Sequence, residues 1–320
     1  MDESEPPSGV PLNEEVAVAR LLGHLLSELA LCIPNGAYTL AAEIESCEAR
    51  EERVELGQLY AQNLLGIFRR RETPEPSPHP SRTSFDNAVD RYALLLREGT
   101  LDPGTAKIRA LQRDGFKCQA TGQLDENSVY AGVVEWNADS GGICCTTLSH
   151  IIPPAVFKHI DTKVSNRFQA ATGLTILARI FDDEGLPLFV DGPCIHRLEN
   201  VWTISSTIHD SFDRLHLWLE ETEEEGVYHL DTPLGPAACP AGCLEKVDLR
   251  SSDSNLPPPS RNLIRIHRLC AKVAHMSGAA GYYCIDWDDD SPRIPPIAAV
   301  DVIGGEREFF EKLWRLNPED

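Results

Sequence analysis

The stretch LENVWTISSTIHDSFDRLHLW, residues 198–218, combines a turn with the start of a helix and carries the residues that decide the fold. Asn200 lies in the turn, and His209 opens the helical segment HDSFDRL, with Asp213 four residues later. Positions i and i+4 share one face of a helix, so His209 and Asp213 are placed to hold one ion together. This stretch is therefore the first candidate for a functional site.

A second segment with candidate chemistry is the apolar, strand-like run CCTTLSHII at residues 144–152, in which His150 lies near the end. One way to hydrolyse a phosphodiester uses a histidine that deprotonates water and a divalent ion that clamps the scissile phosphate. An amide side chain that fixes the surroundings of the histidine completes the set. His150, the pair His209 and Asp213, and Asn200 supply one candidate for each part.

Three segments together carry a family resemblance: RALQRDGFKCQATG (109–122), SHIIP (149–153) and the stretch at 198–218. In order and spacing they resemble the HNH nuclease domain of a large family of fungal proteins. The resemblance covers residues 105–232, with a weaker echo in RLCAKVAHMSGAA at 268–280. It implies an α+β fold, in which a mainly helical chain contains a central ββα-metal (HNH) module.

The resemblance also implies roles for individual residues. Asn200 and His209 are nine residues apart, which is the interval of the HNH pattern. His150 would then be the general base, Asn200 the motif asparagine and His209 a metal ligand. The i, i+4 spacing to His209, and not the resemblance, makes Asp213 the second expected ligand of one divalent ion, Mg²⁺ in our expectation, with water completing the shell. The expected activity is metal-dependent endonucleolytic cleavage of a nucleic acid, DNA in preference to RNA.

The chain departs from the HNH pattern in two ways that concern its active site. Ser149 stands where many HNH enzymes have an acidic residue or a second histidine, so the metal site would be short of one ligand. The interval between His150 and Asn200 is also long, which implies a mainly helical insertion between the two strands of the module.

A third departure concerns zinc. HNH proteins that contain zinc carry two CxxC pairs, and the matching positions here are Cys118 with Thr121 and Ser205 with Ile208. Three of these four positions lack a thiol, and tetrahedral zinc needs four good ligands. A structural zinc ion is therefore not expected, and the cysteines of the chain are interpreted as free thiols.

A second class of function remains open. The formal net charge is -21, whereas proteins that hold nucleic acid through many phosphate contacts usually have a basic surface. Together with Ser149 and the missing thiols, this charge favours a degenerate, inactive HNH module that serves as a protein-interaction or nucleic-acid-binding scaffold. The intact His150, Asn200 and His209 favour the enzyme.

The rest of the chain is predicted to be mostly helical. Apolar spacing predicts helices at 14–31 and 39–70, separated by a turn at Pro34-Asn35-Gly36, and this hairpin is a candidate surface for a protein partner. The predicted organisation is a helical N-terminal region (1–75), a linker with a short helix (76–104), the HNH-like domain (105–232), a second linker (233–260) and a helical C-terminal region (261–320).

The expected location is intracellular, in the nucleus or cytoplasm. The N-terminal residues lack the basic-then-apolar order of a secretory signal, and no apolar stretch is long enough to cross a bilayer. Acidic runs such as residues 220–225 are predicted to be solvated faces.

Overall fold

The structure is a computed structural model that describes residues 14–68, 103–137, 140–154, 164–181, 195–251, 253 and 255–280. The predicted linker with a short helix (76–104) lies outside these residues up to residue 102, and so does the predicted helical C-terminal region after residue 280. The described helices are α1 (Glu14–Cys32), α2 (Pro34–Ser46), α3 (Arg50–Leu64), α4 (Pro103–Arg113), α5 (Glu126–Tyr130), α6 (Val164–Ile180), α7 (Ser206–Asp213) and α8 (Arg261–Ser277). The described strands are β1 (Leu124–Asp125), β2 (Ile143–Cys144), β3 (Thr146–His150), β4 (Val201–Ser205), β5 (Trp218–Glu221), β6 (Val227–Asp231) and β7 (Val247–Asp248).

The strands form small sheets among the helices, so the expected mixed α+β class is confirmed. β1 pairs with β2 in parallel, β3 pairs with β4 in antiparallel, and β5, β6 and β7 form an antiparallel sheet. One cluster of buried apolar residues joins the N-terminal helices, the β3–β4 pair, the three-stranded sheet and α8. Within the described residues, no helix has both the length and the apolar character that crossing a membrane requires.

The prediction for the N-terminal helices is confirmed for α1 and wrong for the two helices that follow it. The helix predicted at 14–31 is α1, but the predicted turn at Pro34-Asn35-Gly36 is wrong, because α2 begins at Pro34. Proline is well suited to the first helical position, where its missing N–H has no helical partner to lose. The predicted helix at 39–70 is instead broken before α3, where the carboxylate of Glu52 accepts hydrogen bonds from the backbone N–H groups of Glu48 and Ala49.

The β3–β4 pair and α7 form the centre of the described structure. Thr146 lies opposite Ser205 and His150 opposite Val201, so β3 and β4 are paired over their whole length. α7 follows β4 directly and packs against both strands, and α4 also contacts both. The buried side chain of Trp202 on β4 meets Phe212 on α7 edge-on, with ring centroids 5.0 Å apart. Strand, strand and helix are thereby held as one unit.

The sheet β5–β6–β7 is tied to α8 by ion pairs. Glu221 accepts hydrogen bonds from both Arg261 and Arg265, and Glu220 accepts from Arg268, which also pairs with Glu28 of α1. Although burial opposes it, the hydrogen bonds from Arg261 and Arg265 lower the pKa of Glu221 to about 2. The prediction of a solvated face is therefore wrong for Glu220 and Glu221, which are half-buried against α8.

Candidate functional site

His150 and His196 form a direct pair at the end of β3. Nε2 of His150 lies 2.9 Å from Nδ1 of His196, and the rings meet edge-on with centroids 5.0 Å apart. One of these two nitrogens carries the shared proton and donates it to the other. His196 was not predicted as a residue of the site. In the structure its side chain contacts that of His150 directly.

Asn200 lies in the 3₁₀ turn Leu198–Asn200 before β4, and its side chain is 0% exposed. Its Oδ1 accepts a hydrogen bond from the backbone N–H of Ile152 at 2.9 Å. Its Nδ2 donates to the carbonyl of Ile152 at 3.0 Å and to that of Ile195 at 2.9 Å. The amide therefore holds the chain two residues after His150 and one residue before His196, which makes Asn200 a positioning residue.

Replacing Asn200 by alanine should lower the free energy of unfolding by roughly 2–4 kcal/mol, because it leaves the backbone groups of Ile152 and Ile195 buried without partners. Urea unfolding of the full chain measures this change. The matched control is Asn127→Ala on α5, where the side chain is exposed. It should stay within about 0.5 kcal/mol of the wild type. Equal effects of the two substitutions would contradict the role given to Asn200.

A buried arginine holds the same turn from the other side. Arg113, at the end of α4, donates from Nη1 to the carbonyl of Leu198 at 2.6 Å and from Nη2 to that of Val201 at 2.8 Å. Its guanidinium is also paired with the carboxylate of Asp114, which accepts from the backbone N–H of Thr203 at 2.9 Å. The turn that contains Asn200 is thus fixed by side chains on both sides.

His209 and Asp213 meet on α7, as their i, i+4 spacing predicts. Nε2 of His209 lies 3.3 Å from Oδ1 of Asp213. The His209 side chain is 29% exposed and that of Asp213 is 20% exposed, so both are open to a ligand from solvent. A histidine nitrogen and a carboxylate oxygen at this distance can share one ion if the ion replaces their direct contact.

The electrostatic environment keeps His150 uncharged. Burial lowers the pKa of His150 to about 3, with further contributions from the neighbouring His196 and His209. The imidazole is therefore neutral near pH 7, which is the form that can accept a proton. Since His209 acts on this pKa, the two predicted histidines lie within electrostatic reach of each other.

Ser149 is closed off from solvent. Its side chain is 0% exposed, and among the described residues its hydroxyl has no hydrogen-bond partner. Neighbouring residues of a strand point to opposite faces, and Ser149 lies opposite Trp202, the residue that packs on α7, while His150 belongs to the other face. Ser149 itself is therefore unable to bind an ion in this conformation.

The positions compared with zinc ligands are joined by hydrogen bonds. The sulfur of Cys118 accepts from the backbone N–H of Ser205 at 3.2 Å. Hydrogen bonds from Cys144 and then Thr121 lower the pKa of Cys118 to about 6 against the opposing effect of burial, and the pKa of Cys144 is raised. The cysteines that the structure describes are free, as predicted.

Comparison with known proteins adds no relative. The chain matches no protein-family model, no curated protein and no solved structure.

Proposed function

We propose that the chain is a metal-dependent HNH endonuclease that hydrolyses phosphodiester bonds in DNA. The observation that carries this proposal is the convergence of the three motif residues on one strand–strand–helix unit. His150 ends β3, Asn200 precedes β4 and holds the chain beside His150, and His209 lies on α7 directly after β4. A neutral histidine, a buried positioning amide and a histidine–carboxylate pair are the parts that metal-dependent hydrolysis of a phosphodiester by a histidine base uses.

In the proposed reaction His150 is the general base. With Nδ1 of His196 as the donor, Nε2 of His150 is the unprotonated nitrogen, and its lone pair accepts the proton of the attacking water once the water has taken the place of His196. Asn200 contacts neither substrate nor water in this scheme. It keeps the backbone of Ile152 and Ile195 in place, so that both histidines stay aligned.

The small number of protein donors at α7 fits an ion that keeps most of its water. His209 and Asp213 offer one nitrogen and one carboxylate, and the described residues contain no group of three or more His, Cys, Asp or Glu side chains placed to hold an ion. Mg²⁺ commonly keeps several waters and binds through few protein ligands and substrate phosphates. When bound, such an ion would clamp the scissile phosphate and stabilise the leaving oxygen.

The proposal is tested by plasmid nicking with purified protein in Mg²⁺, in Mn²⁺ and without metal. Wild-type protein should nick only with metal, and His209→Ala should lose metal affinity and activity together, because it removes a direct ligand. The expected loss of affinity is at least roughly 10–100-fold, the range measured for removing a weaker, outer-shell partner of a metal site. The control is Arg214→Gln, since Arg214 pairs on the same helix with Asp210. Absence of both metal binding and cleavage of DNA and RNA in the wild type would refute the enzyme.

The second candidate is a degenerate HNH module that acts as a scaffold. The buried hydroxyl of Ser149, which supplies no ligand, favours it, as does the engagement of His209 by Asp213. The net charge of -21 also argues against binding of nucleic acid through many phosphate contacts. Calorimetric titration of the wild type with Mn²⁺ separates the two candidates, because a scaffold of this kind binds no divalent ion at α7.

A further inference from the structure

A cavity of about 240 Å³ is lined in part by His196 of the histidine pair. α4 supplies Thr105 and Arg109 to its wall, and the segment before β4 supplies His196, Arg197 and Glu199. The rest of the lining is apolar and comprises Ala106, Leu198 and Pro257. The cavity thus combines charged groups with an apolar wall, as sites for small polar ligands do.

Two arginines of this cavity stand out by their lack of ion pairs. Neither Arg109 nor Arg197 has an ion-pair or hydrogen-bond partner for its side chain within the part of the chain that the structure describes. Most of the other arginines that the structure describes form ion pairs with carboxylates. Arg214, for example, pairs with Asp210. In a chain with 50 acidic and 29 basic residues, two neighbouring guanidiniums without a carboxylate are available to an external anion.

The net charge of the cavity favours an anion with a single negative charge. Arg109 and Arg197 bring two positive charges, and Glu199 brings one negative charge without pairing with either arginine at ion-pair distance. The balance is one positive charge. It matches a phosphodiester, which carries a single negative charge, better than a terminal phosphate, which carries more. The apolar wall can then lie against the sugar ring.

His196 connects the cavity with the proposed general base. Its ring is part of the cavity wall, and its Nδ1 is the atom that meets His150. A phosphodiester in the cavity therefore lies one side chain away from the residue that activates water in the proposed reaction. In a nucleic-acid strand, the anionic group nearest to the scissile phosphate is the neighbouring phosphate.

We propose that this cavity binds the phosphodiester next to the one that is cut, through Arg109 and Arg197, and so sets the register of the strand at His150. This inference rests on the proposed function, because the site takes its meaning from a cleaved strand. Contacts of this kind position a nucleic acid without reading its bases. The cavity is accordingly a subsite for the backbone and gives no sequence preference.

The test is binding of a fluorescein-labelled DNA duplex to the full chain in EDTA, measured by anisotropy at several salt concentrations. Arg109→Gln and Arg197→Gln should each weaken binding by roughly 10-fold and reduce the slope of log K against log salt by about 1. Arg214→Gln is the control and should bind within about twofold of wild type, because Arg214 already pairs with Asp210.

The outcomes separate this inference from the nuclease proposal. Unchanged affinity and slope in both cavity variants would overturn the subsite even if the wild type cleaves DNA, and so would a wild type that binds no DNA. Reduced affinity and slope would support the subsite even if no metal allows cleavage, and the nuclease proposal alone would then fail. Unfolding midpoints equal to that of the wild type exclude misfolding of the variants.

Discussion

Replacing His150 by alanine should lower the rate of DNA cleavage by roughly 10²–10⁴-fold, because it removes the group that accepts the proton of the attacking water. Metal binding should be retained. The ligands proposed for the ion are His209 and Asp213 on α7, whereas Nε2 of His150 contacts His196. The measurements are single-turnover cleavage with saturating metal and calorimetric titration of the same protein with Mn²⁺.

The control for this substitution is His229→Ala. His229 lies on β6, opposite Glu220 of β5, and takes no part in the proposed site. The His229→Ala variant should cleave DNA at the wild-type rate. A His150→Ala variant that cleaves as fast as wild type would remove His150 from the mechanism, and loss of metal binding together with activity would show that His150 is a ligand. In either case the assignment of the general base would be wrong.

The geometry around His150 also shows what the sequence could and could not predict about the site. The i, i+4 spacing was enough to predict the contact between His209 and Asp213, because both residues lie on one short helix and the helical repeat alone brings them together. The position of His196 beside His150, by contrast, depends on a contact between residues that are far apart in sequence. Asn200 reaches back to the carbonyl of Ile195 and places His196 beside β3, and no spacing along the chain contains that information.

The same distinction holds for the fold. The apolar stripe of α1 is a local signal, and the predicted and observed bounds of this helix agree within one residue. α8 begins at Arg261, where the helical C-terminal region is predicted to begin, and ends at Ser277, where Gly278 adopts a positive φ of 78°. A glycine in that conformation commonly ends a helix, so the sequence contains a signal for this helix end.

The sheet β5–β6–β7 could not be predicted in this way. Its register is a property of strands that meet through the fold, and β7 has only two residues, Val247 and Asp248. The acidic run in β5 resembled a solvated face because its partners lie 40 or more residues away in sequence, on α8. Charge patterning describes a run by itself, whereas burial of Glu220 and Glu221 depends on the arginines that α8 brings to them.

Lowering the pH from 7 to 5 should destabilise the protein by about 4 kcal/mol through His24 and His267 alone, with about 2 kcal/mol from each. The side chains are 5% and 2% exposed, respectively. Burial lowers the pKa of His24 to about 4, assisted by Arg20, and burial lowers the pKa of His267 to about 3. Stability is complete above the unfolded-state pKa of about 6.5 and is lost as the pH falls towards these folded-state values, because only the unfolded chain takes up the protons.

Urea unfolding at pH 7 and pH 5 measures this loss, and non-titrating variants assign it. His267→Gln keeps a donor that can reach the carbonyl of Phe212, which now accepts from Nε2 of His267 at 3.1 Å. It should reduce the difference between the two pH values by about 2 kcal/mol, and His24→Gln should do the same. Asn127→Ala, which removes no titrating group, should leave the difference unchanged. Carboxylates such as Glu221 titrate below this window, so they contribute little to it. If both histidine variants keep the full pH dependence of the wild type, the two rings are charged or solvated at pH 5, and the buried environments described for them are wrong.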